Sequence, residues 1–430
     1  MPDASCRVAM LSVHGCPLDR LGSREAGGMQ LYVRELSREL GRQGLSVDVF
    51  TRRTDPSVPR VVEFGERVRV IHLDAGPVAR IDKNSVVQHL PAFIHNLERF
   101  NQRERLEPRF VHSHYWLSGW VGTRLSELWR VPHVTTFHTL GRVKNRANQG
   151  AASPGGHWVG QLESERRIEI ERRVMRHADA IVVSTEHERA ALVELYGARR
   201  ESAVVIPPGA DLSTFRPIDR ARARDELGLD GELLLFVGRI DPVKGLDTLL
   251  EALKLLDERP GLQLLVVGGS PPGTAPSQLD PDERRLRDLA RRLGLGERVR
   301  WLGPIGQERL PLYYSAADVV VVPSRYESFG LVALEALACG AAVVASRVGG
   351  LPTILRDREN GLLVPWRTPE AFAERIEQLL DDPELAARLR AAAPKSMARF
   401  SWAATAGRVI ELYRELAAAR ERAQRRACSG

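Results

Sequence analysis

The chain alternates short apolar runs with longer segments whose apolar residues recur every three or four positions. Short β-branched runs predict buried strands, and the longer spacing predicts amphipathic helices. In the first half, strands are predicted at residues 7–13, 46–51, 68–73, 111–114, 133–137, 180–183 and 204–206. Helices are predicted between them at residues 29–43, 82–99 and 117–129. This alternation is typical of a parallel, doubly wound sheet.

The second half repeats the same alternation. Strands are predicted at residues 233–237, 262–267, 299–302, 319–322 and 342–345, and a last helix at residues 403–420. The fold class is therefore α/β, with two Rossmann-like doubly wound domains at residues 1–215 and 216–399 and a C-terminal helical segment at 400–430. Facing domains leave a cleft between them, where ligands usually bind. Residues 150–156, made of Gly, Ala, Ser and Pro, are predicted to be the most mobile loop.

Composition and charge narrow the classes of function. The 430 residues are 43% hydrophobic and 27% charged, which is typical of globular proteins. No apolar run approaches the roughly 18 residues of a membrane span, and a basic leader is absent, so we expect neither a membrane protein nor a secreted one. Four cysteines without metal-ligand spacing favour a reduced, cytoplasmic protein.

The net charge of +7 favours anionic partners. Nucleic acid is not expected, because no basic stripe with interleaved aromatic residues is present. Nucleotide sugars and sugar phosphates suit the charge, and the Arg-rich segment 414–426 is interpreted as a solvated helix face. A homodimer is compatible with the sequence.

Two glutamates follow the predicted strand 319–322. Glu327 lies in the loop after that strand, and Glu335 lies in the helix predicted to start at Gly330. Open α/β sheets bind ligands at this carboxyl edge. A carboxylate there suits the hydroxyls of a sugar or a ribose, to which it is a strong acceptor, better than a phosphate. The alternative is a pair of ordinary surface glutamates.

A basic pair follows another predicted strand. Arg239 and Lys244 come after residues 233–237 and precede a helical pattern, which favours a clamp for a diphosphate. A solvated basic surface is the alternative, but the occurrence of this pair together with the glutamates argues against chance. Gly27 and Gly28 open a helix after a long loop, where glycine lets the backbone approach a ligand; an ordinary turn is the alternative.

Three histidines lie near predicted strand ends: His112, His114 and His138. Their spacing lacks a metal-ligand signature, so we predict no metal site. A neutral imidazole can donate or accept a hydrogen bond, and for His138 a satisfied core histidine is one interpretation.

With these motifs in place, the chain resembles the retaining glycosyltransferases of the GT-B fold, group 4 type. The resemblance runs from end to end and rests on residues 27–29, 112–119, 136–139, 207–211, 238–245, the pair Glu327 and Glu335, and residues 349–352. Two branches are similar: the mycothiol-pathway enzyme that transfers N-acetylglucosamine to inositol 3-phosphate, and sucrose-phosphate synthase. Residues 115–119 and 400–405 look more like the inositol branch, whereas residues 139–142 and 167–169 look more like the sucrose-phosphate branch.

The resemblance implies that the helix of residues 400–430 crosses back to the N-terminal, acceptor-binding domain. It also implies transfer of a hexose, from UDP-N-acetylglucosamine or UDP-glucose, to a phosphorylated polyol or sugar. The implied catalytic residues are Arg239, Lys244, Glu327 and His138. The implied donor-binding residues are Gly28, Arg239, Lys244, Glu327, Phe329, Gly330, Leu331 and Glu335. The implied acceptor-binding residues are Lys83, Tyr115, Thr139 and Arg167, with Arg166 as a one-residue alternative to the last.

No tightly bound cofactor is expected, although Mg²⁺ accompanying the nucleotide is compatible with such a reaction. Inositol 3-phosphate is the acceptor we favour, ahead of fructose 6-phosphate and of the acceptors of other glucosyl- or mannosyltransferases. Two other kinds of function stay open: a phosphorylase- or epimerase-like enzyme on the same double fold, and a non-catalytic protein that binds sugar nucleotides.

Overall fold

Strands near the start of the chain form the first of two sheets. The computed structural model describes residues 6–19, 27–149, 162–365 and 368–428. Within them, the first sheet has the order β3-β4-β2-β1-β5-β6-β7-β8 and is parallel except for the antiparallel pair β3–β4. Its strands are β1 Arg7–Leu11, β2 Ser46–Arg52, β3 Val61–Gly65, β4 Val68–Leu73, β5 Pro108–His114, β6 His133–Thr136, β7 Ala180–Val183 and β8 Ala203–Val205.

Helices cover both faces of this sheet. They are α1 Gly28–Arg42, α2 Lys83–Val86, α3 Leu90–Glu104, α4 Tyr115–Trp129, α5 Gly141–Gln149, α6 Glu165–His177 and α7 Glu186–Tyr196. The side chains of α3 and α4 pack on one face, where Phe93 and Trp116 are fully buried. The side chains of α1 pack on the other, with Tyr32 and Leu36 in the core. Central strands buried on both faces need to be apolar throughout, as the Ala-Ile-Val-Val sequence of β7 is.

The second sheet is parallel and has the order β11-β10-β9-β12-β13-β14 in the described part of the chain. Its strands are β9 Leu233–Val237, β10 Gln263–Val267, β11 Val299–Gly303, β12 Val319–Val322, β13 Val343–Ser346 and β14 Leu362–Val364. The accompanying helices are α8 Arg220–Leu227, α9 Leu246–Leu255, α10 Pro281–Arg292, α11 Leu310–Ala316, α12 Leu331–Ala338, α13 Leu351–Ile354, α14 Pro369–Asp381 and α15 Pro383–Met397. The last helix is α16, Trp402–Cys428.

The predicted double α/β architecture is confirmed, and three local predictions are wrong. Strand β3 was missed, and it makes the first sheet mixed, because its alternating exposed pattern lacks the apolar run of a buried strand. Strand β14 was missed because it is only three residues long. The single helix predicted at 82–99 is broken into α2, a 3₁₀ turn at Val87–His89 and α3, which has Pro91 in its first turn. The loop predicted at 150–156 lies outside the described residues.

The C-terminal helix returns to the first sheet. Helix α16 packs along α1, and its Tyr413 ring stacks on Phe110 with centroids 4.6 Å apart. The Tyr413 hydroxyl lies 2.7 Å from Nδ1 of His112, which is fully buried in β5. The last helix therefore closes the core of the first half.

The returning chain crosses the link between the halves at Gly209. The Ala210 amide donates to the Phe400 carbonyl at 2.9 Å, and the Thr405 hydroxyl donates to the Pro207 carbonyl at 2.9 Å. A Cβ on Gly209 would lie 2.3 Å from the Trp402 nitrogen, so only glycine fits this crossing. None of the described helices is long and apolar enough to span a membrane.

We expect Gly209→Ala to destabilise the protein, because the added methyl collides with backbone atoms that have no room to move. Such overpacking typically costs about 1–3 kcal/mol. The measurement is the thermal unfolding midpoint of the full chain. Gly261→Ala is the matched control, since a Cβ there meets nothing within 4 Å. Equal midpoints for the two variants would contradict the crossing as a constraint.

Candidate active site

The predicted diphosphate clamp lies at the carboxyl edge of the second sheet. After β9, Asp241 caps a short 3₁₀ turn at Pro242–Lys244 by accepting from the Val243 amide. This turn directs Lys244 to Glu327 in the loop after β12, and Nζ of the lysine lies 2.6 Å from Oε2 of the glutamate. Arg239 is more exposed and lies 3.4 Å from the Asp241 carboxylate. The structure thus brings Lys244 and Glu327 into one ion pair, beside Arg239.

The loop that carries Glu327 is held by a second glycine pair. The Gly350 amide donates to the Glu327 carbonyl at 2.9 Å, and a Cβ on Gly349 would lie 1.9 Å from that oxygen. Gly349 also has a positive φ of 51°, a conformation that glycine adopts without strain. The motif at residues 349–352 therefore positions the Glu327 loop.

The other predicted donor residues differ in how they are presented. Gly330 caps α12 with a φ of 103°. Leu331 is the first residue of that helix, and a Cβ added to Gly28 of the first half would lie 3.5 Å from its side chain. The Phe329 side chain is buried against Phe400, so only its backbone faces the cleft side of the loop. The sequence did not indicate this burial.

Glu335 lies inside the protein on α12. It is 5% exposed and accepts a hydrogen bond of 3.0 Å from the Tyr314 hydroxyl. Burial raises the pKa of Glu335 to about 7, against the opposing effect of that hydrogen bond. Its carboxylate is thus more buried than that of Glu327, whose side chain is 16% exposed.

His138 lies where the two halves touch. Burial lowers its pKa to about 3, so the imidazole is neutral at physiological pH. Its Nε2 lies 3.0 Å from Nδ1 of His114, and its carbonyl accepts a 2.8 Å hydrogen bond from Ser328, next to Glu327. His138 and Tyr115 both have a positive φ, 62° and 76°, which is strained for residues other than glycine and is common at functional sites.

The four predicted acceptor residues converge in the first half. Arg167, which is 1% exposed on α6, donates to the Tyr115 hydroxyl at 3.1 Å and to both oxygens of Thr139 at 2.8 and 3.1 Å. Its Nε lies 2.7 Å from Glu171, which also accepts from the Gly141 amide. Lys83 reaches the same cluster from α2. Residue 167, and not 166, thus faces this cluster.

Two cluster residues carry no motif of their own. Glu163 lies 2.9 Å from Lys83, 2.9 Å from Lys144 and 3.0 Å from Arg167. Burial acts to raise the pKa of Glu163, but Arg167, Lys83 and Lys144 outweigh it and lower that pKa to about 2. The four-residue spacing of Glu163 and Arg167 is the signal that sequence reasoning missed.

The other two candidate histidines, His112 and His114, are engaged in hydrogen bonds. His112 bridges Tyr413 and the Thr136 hydroxyl, and His114 contacts His138. Within the described residues, no group of three His, Cys, Asp or Glu side chains is arranged to hold a metal ion. These rings therefore form a buried hydrogen-bonded layer behind the site.

The acceptor cluster around Arg167 and the donor residues around Lys244 and Glu327 are connected through residues that are adjacent in sequence. Thr139 follows His138, whose carbonyl holds Ser328, and Ser328 follows Glu327. A second contact between the halves joins Arg34 of α1 to Gln307 at 2.8 Å. These contacts link the loop that carries Glu327, the partner of Lys244, to the segment that carries Thr139 of the Arg167 cluster. Cations in both halves suit ligands that carry phosphate.

Comparison with known proteins agrees with this geometry. Residues 27–209 match the family model "Glycosyl transferase 4-like domain", and residues 218–396 match "Glycosyl transferases group 1". The chain is 44% identical to a D-inositol 3-phosphate glycosyltransferase of Kineococcus radiotolerans, over 95% of each chain. It is 42% identical to the enzyme of that name from Nocardiopsis dassonvillei, over 96% of this chain and 95% of the relative.

Among solved structures, a sucrose-phosphate synthase from Thermosynechococcus elongatus superposes with a TM-score of 0.86. Their sequences are 39% identical, and the match covers 96% of this chain and 100% of that one. The chain therefore belongs to the GT-B glycosyltransferases of group 4 type, and it is a hexosyltransferase similar over nearly its whole length to the D-inositol 3-phosphate glycosyltransferases.

Proposed function

We propose that the protein transfers a hexose with retention from UDP-N-acetylglucosamine or UDP-glucose to a phosphorylated polyol, 1D-myo-inositol 3-phosphate. The observation that carries this proposal is the cluster of Lys83, Tyr115, Thr139 and Arg167. These residues come from four separate segments. Tyr115 and Thr139 contact the buried guanidinium of Arg167, and Lys83 joins them through Glu163, which contacts both cations. Cations joined to hydroxyls in this way suit the oxygens of a phosphate ester.

In the donor half, Arg239 and Lys244 bind the diphosphate, assisted by the backbone amides at Gly330. When the nucleotide leaves, negative charge grows on the β-phosphate, and preorganised cations stabilise it. Binding of the diphosphate by Lys244 releases Glu327 from its ion pair, so that the carboxylate accepts from hydroxyls of the transferred sugar. Glu335 accepts from the ribose hydroxyls.

The acceptor hydroxyl attacks on the face from which the nucleotide departs, and the departing phosphate takes its proton. The neutral His138 holds a sugar hydroxyl and does not act as an acid, since its low pKa keeps it unprotonated. No protein base is then required. The reaction uses no tightly bound cofactor, and free Mg²⁺ accompanies the nucleotide without a site of its own.

A second candidate function is synthesis of sucrose phosphate from UDP-glucose and fructose 6-phosphate. The superposition on the cyanobacterial sucrose-phosphate synthase favours it. The inositol acceptor is preferred because the relatives of higher identity carry that name. An acceptor screen with labelled UDP-N-acetylglucosamine and UDP-glucose separates the two.

We expect Lys244→Ala to lower kcat by about 100-fold, because removing a preorganised charge donor typically costs that much. The measurement is UDP release in steady-state kinetics, with circular dichroism as the check on folding. Lys254→Ala is the control, since this exposed lysine lies on α9 and pairs with the exposed Asp257. A folded Lys244→Ala enzyme with near-normal turnover would rule out the clamp.

The two glutamates should separate in their effects on UDP. Glu335→Ala should weaken binding of free UDP, because a ribose contact is lost. Glu327→Ala should not weaken UDP binding, because it frees Lys244 from its internal partner; UDP should bind at least as tightly as to the wild type. Calorimetry with UDP measures both, and Tyr314→Phe controls for loss of the hydrogen bond inside the protein. Equal losses of UDP in both glutamate variants would show that the division of roles is wrong.

Lys83→Ala should raise the acceptor KM by about 10- to 100-fold and leave the donor KM unchanged, because one charge-assisted phosphate contact is lost. The assay compares inositol 3-phosphate and fructose 6-phosphate with inositol and fructose. The preference for phosphate esters should narrow in the variant. If the wild-type enzyme used plain inositol or fructose as readily as the esters, the phosphate pocket would be refuted.

A further inference from the structure

The acceptor cluster already contains an anion of its own. The Glu163 carboxylate contacts Lys83 with both oxygens, at 2.9 and 3.1 Å, and also contacts Lys144 and Arg167. These contacts cover the cation side of the cluster, where the proposed function places the acceptor phosphate. A phosphate cannot contact Lys83 and Arg167 in this arrangement while the carboxylate lies between them.

The backbone of Glu163 is fixed, whereas its side chain has a route out. Asn145 of α5 accepts from the Glu163 amide at 2.7 Å and donates to the Glu163 carbonyl at 3.1 Å. The Glu163 carboxylate therefore leaves the cluster by rotation of its side chain, while the backbone stays in place. The cluster is open on its lysine side, since the Lys83 and Lys144 side chains are 27% and 31% exposed.

Charge balance favours an exchange of anions. Three cations face two carboxylates, Glu163 and Glu171, in the free protein. A phosphate ester carries about two negative charges at neutral pH. If it joined both carboxylates, anions would exceed cations in a largely buried site. If it replaces Glu163, the three cations balance the phosphate and Glu171, which stays because it also holds the Gly141 amide and the Tyr196 hydroxyl.

The hydroxyls of the cluster are prepared for the incoming phosphate. Tyr115 and Thr139 accept hydrogen bonds from Arg167, and each keeps a hydroxyl proton of its own to donate. A phosphate with three outer oxygens uses these donors as well as the cations, whereas a neutral hydroxyl group cannot compensate three broken ion pairs.

We propose that Glu163 is a specificity-determining residue: its carboxylate occupies the acceptor-phosphate pocket in the free enzyme and is displaced only by an anionic acceptor group. Lys144 is then a further phosphate-binding residue of that pocket. This inference rests on the proposed phosphate pocket and adds an internal competitor to it. The competitor discriminates against unphosphorylated acceptors and keeps the buried cations paired when no acceptor is bound.

The test is calorimetric binding of inorganic phosphate to the full-length protein. Glu163→Gln keeps the size of the side chain and removes its charge, so phosphate should bind about 10-fold more tightly or better. Glu163→Asp, whose shorter arm loses part of the three contacts, should give a smaller gain and serves if the first variant folds poorly. Glu194→Gln is the charge-matched control, because Glu194 pairs with Arg146 on the exposed surface; its affinity should equal that of the wild type.

The direction in which Glu163→Gln changes the phosphate affinity decides whether Glu163 competes with phosphate. If Glu163 only holds the lysines in place, Glu163→Gln binds phosphate more weakly or equally, and the inference is overturned. Lys83→Ala distinguishes this from failure of the proposed function. If Lys83→Ala loses phosphate binding, the phosphate pocket is supported, whether or not Glu163→Gln changes the phosphate affinity. Absence of phosphate binding in the wild type and in every variant would overturn the pocket and the inference together.

In the acceptor assay, Glu163→Gln should lower the KM for the phosphorylated acceptor while the KM for the donor stays constant. The ratio of kcat/KM for phosphorylated over plain acceptor should change in Glu163→Gln and not in Glu194→Gln. An unchanged ratio would contradict the role of Glu163 in acceptor choice.

Discussion

The relative position of the two sheets depends on one backbone crossing, where the chain returning from the second half passes Gly209. The Ala210 amide, the Phe400 carbonyl and the Thr405 hydroxyl fix this crossing from both sides. Beyond it, α16 completes the core under β5, while Phe400 packs on Phe329 beside the Glu327 loop. A single segment thus belongs to the core of one half and supports the ligand loop of the other, so the geometry of the cleft follows from it.

In each half, a carboxylate pairs with the cations that the proposed function assigns to a phosphate. Glu327 pairs with Lys244 in the donor half, and Glu163 pairs with Lys83, Lys144 and Arg167 in the acceptor half. Unpaired charges in a poorly solvated site are costly, and removing one partner of a buried pair typically destabilises a protein by about 3–5 kcal/mol. These pairs therefore keep the cations compensated, and under the proposed function each ligand replaces one internal anion.

The sequence was sufficient where local patterns determine structure, and insufficient where distant segments meet. Buried strands such as β7, β9 and β12 follow from apolar runs, and the start of α12 follows from Gly330. The strand–loop–helix positions of Lys244 and Glu327 could be predicted for the same reason. The contact of Glu163 with Lys83 joins residues eighty positions apart, and no periodicity encodes it. Likewise, Phe329 and Glu335 follow a recognisable pattern, but their burial depends on Phe400 and Tyr314.

The junction of the two clusters is also the most strained part of the described backbone near the site. Tyr115 and His138 follow β5 and β6, and both adopt the left-handed conformation, at a typical cost of about 1–3 kcal/mol each. In exchange, Tyr115 reaches Arg167, and the His138 carbonyl reaches Ser328 of the other half. The hydrogen bonds of His112 to Tyr413 and of His114 to His138 help to hold this backbone. The contacts from Tyr413 through His112, His114 and His138 therefore link the C-terminal helix to Ser328 in the loop after Glu327.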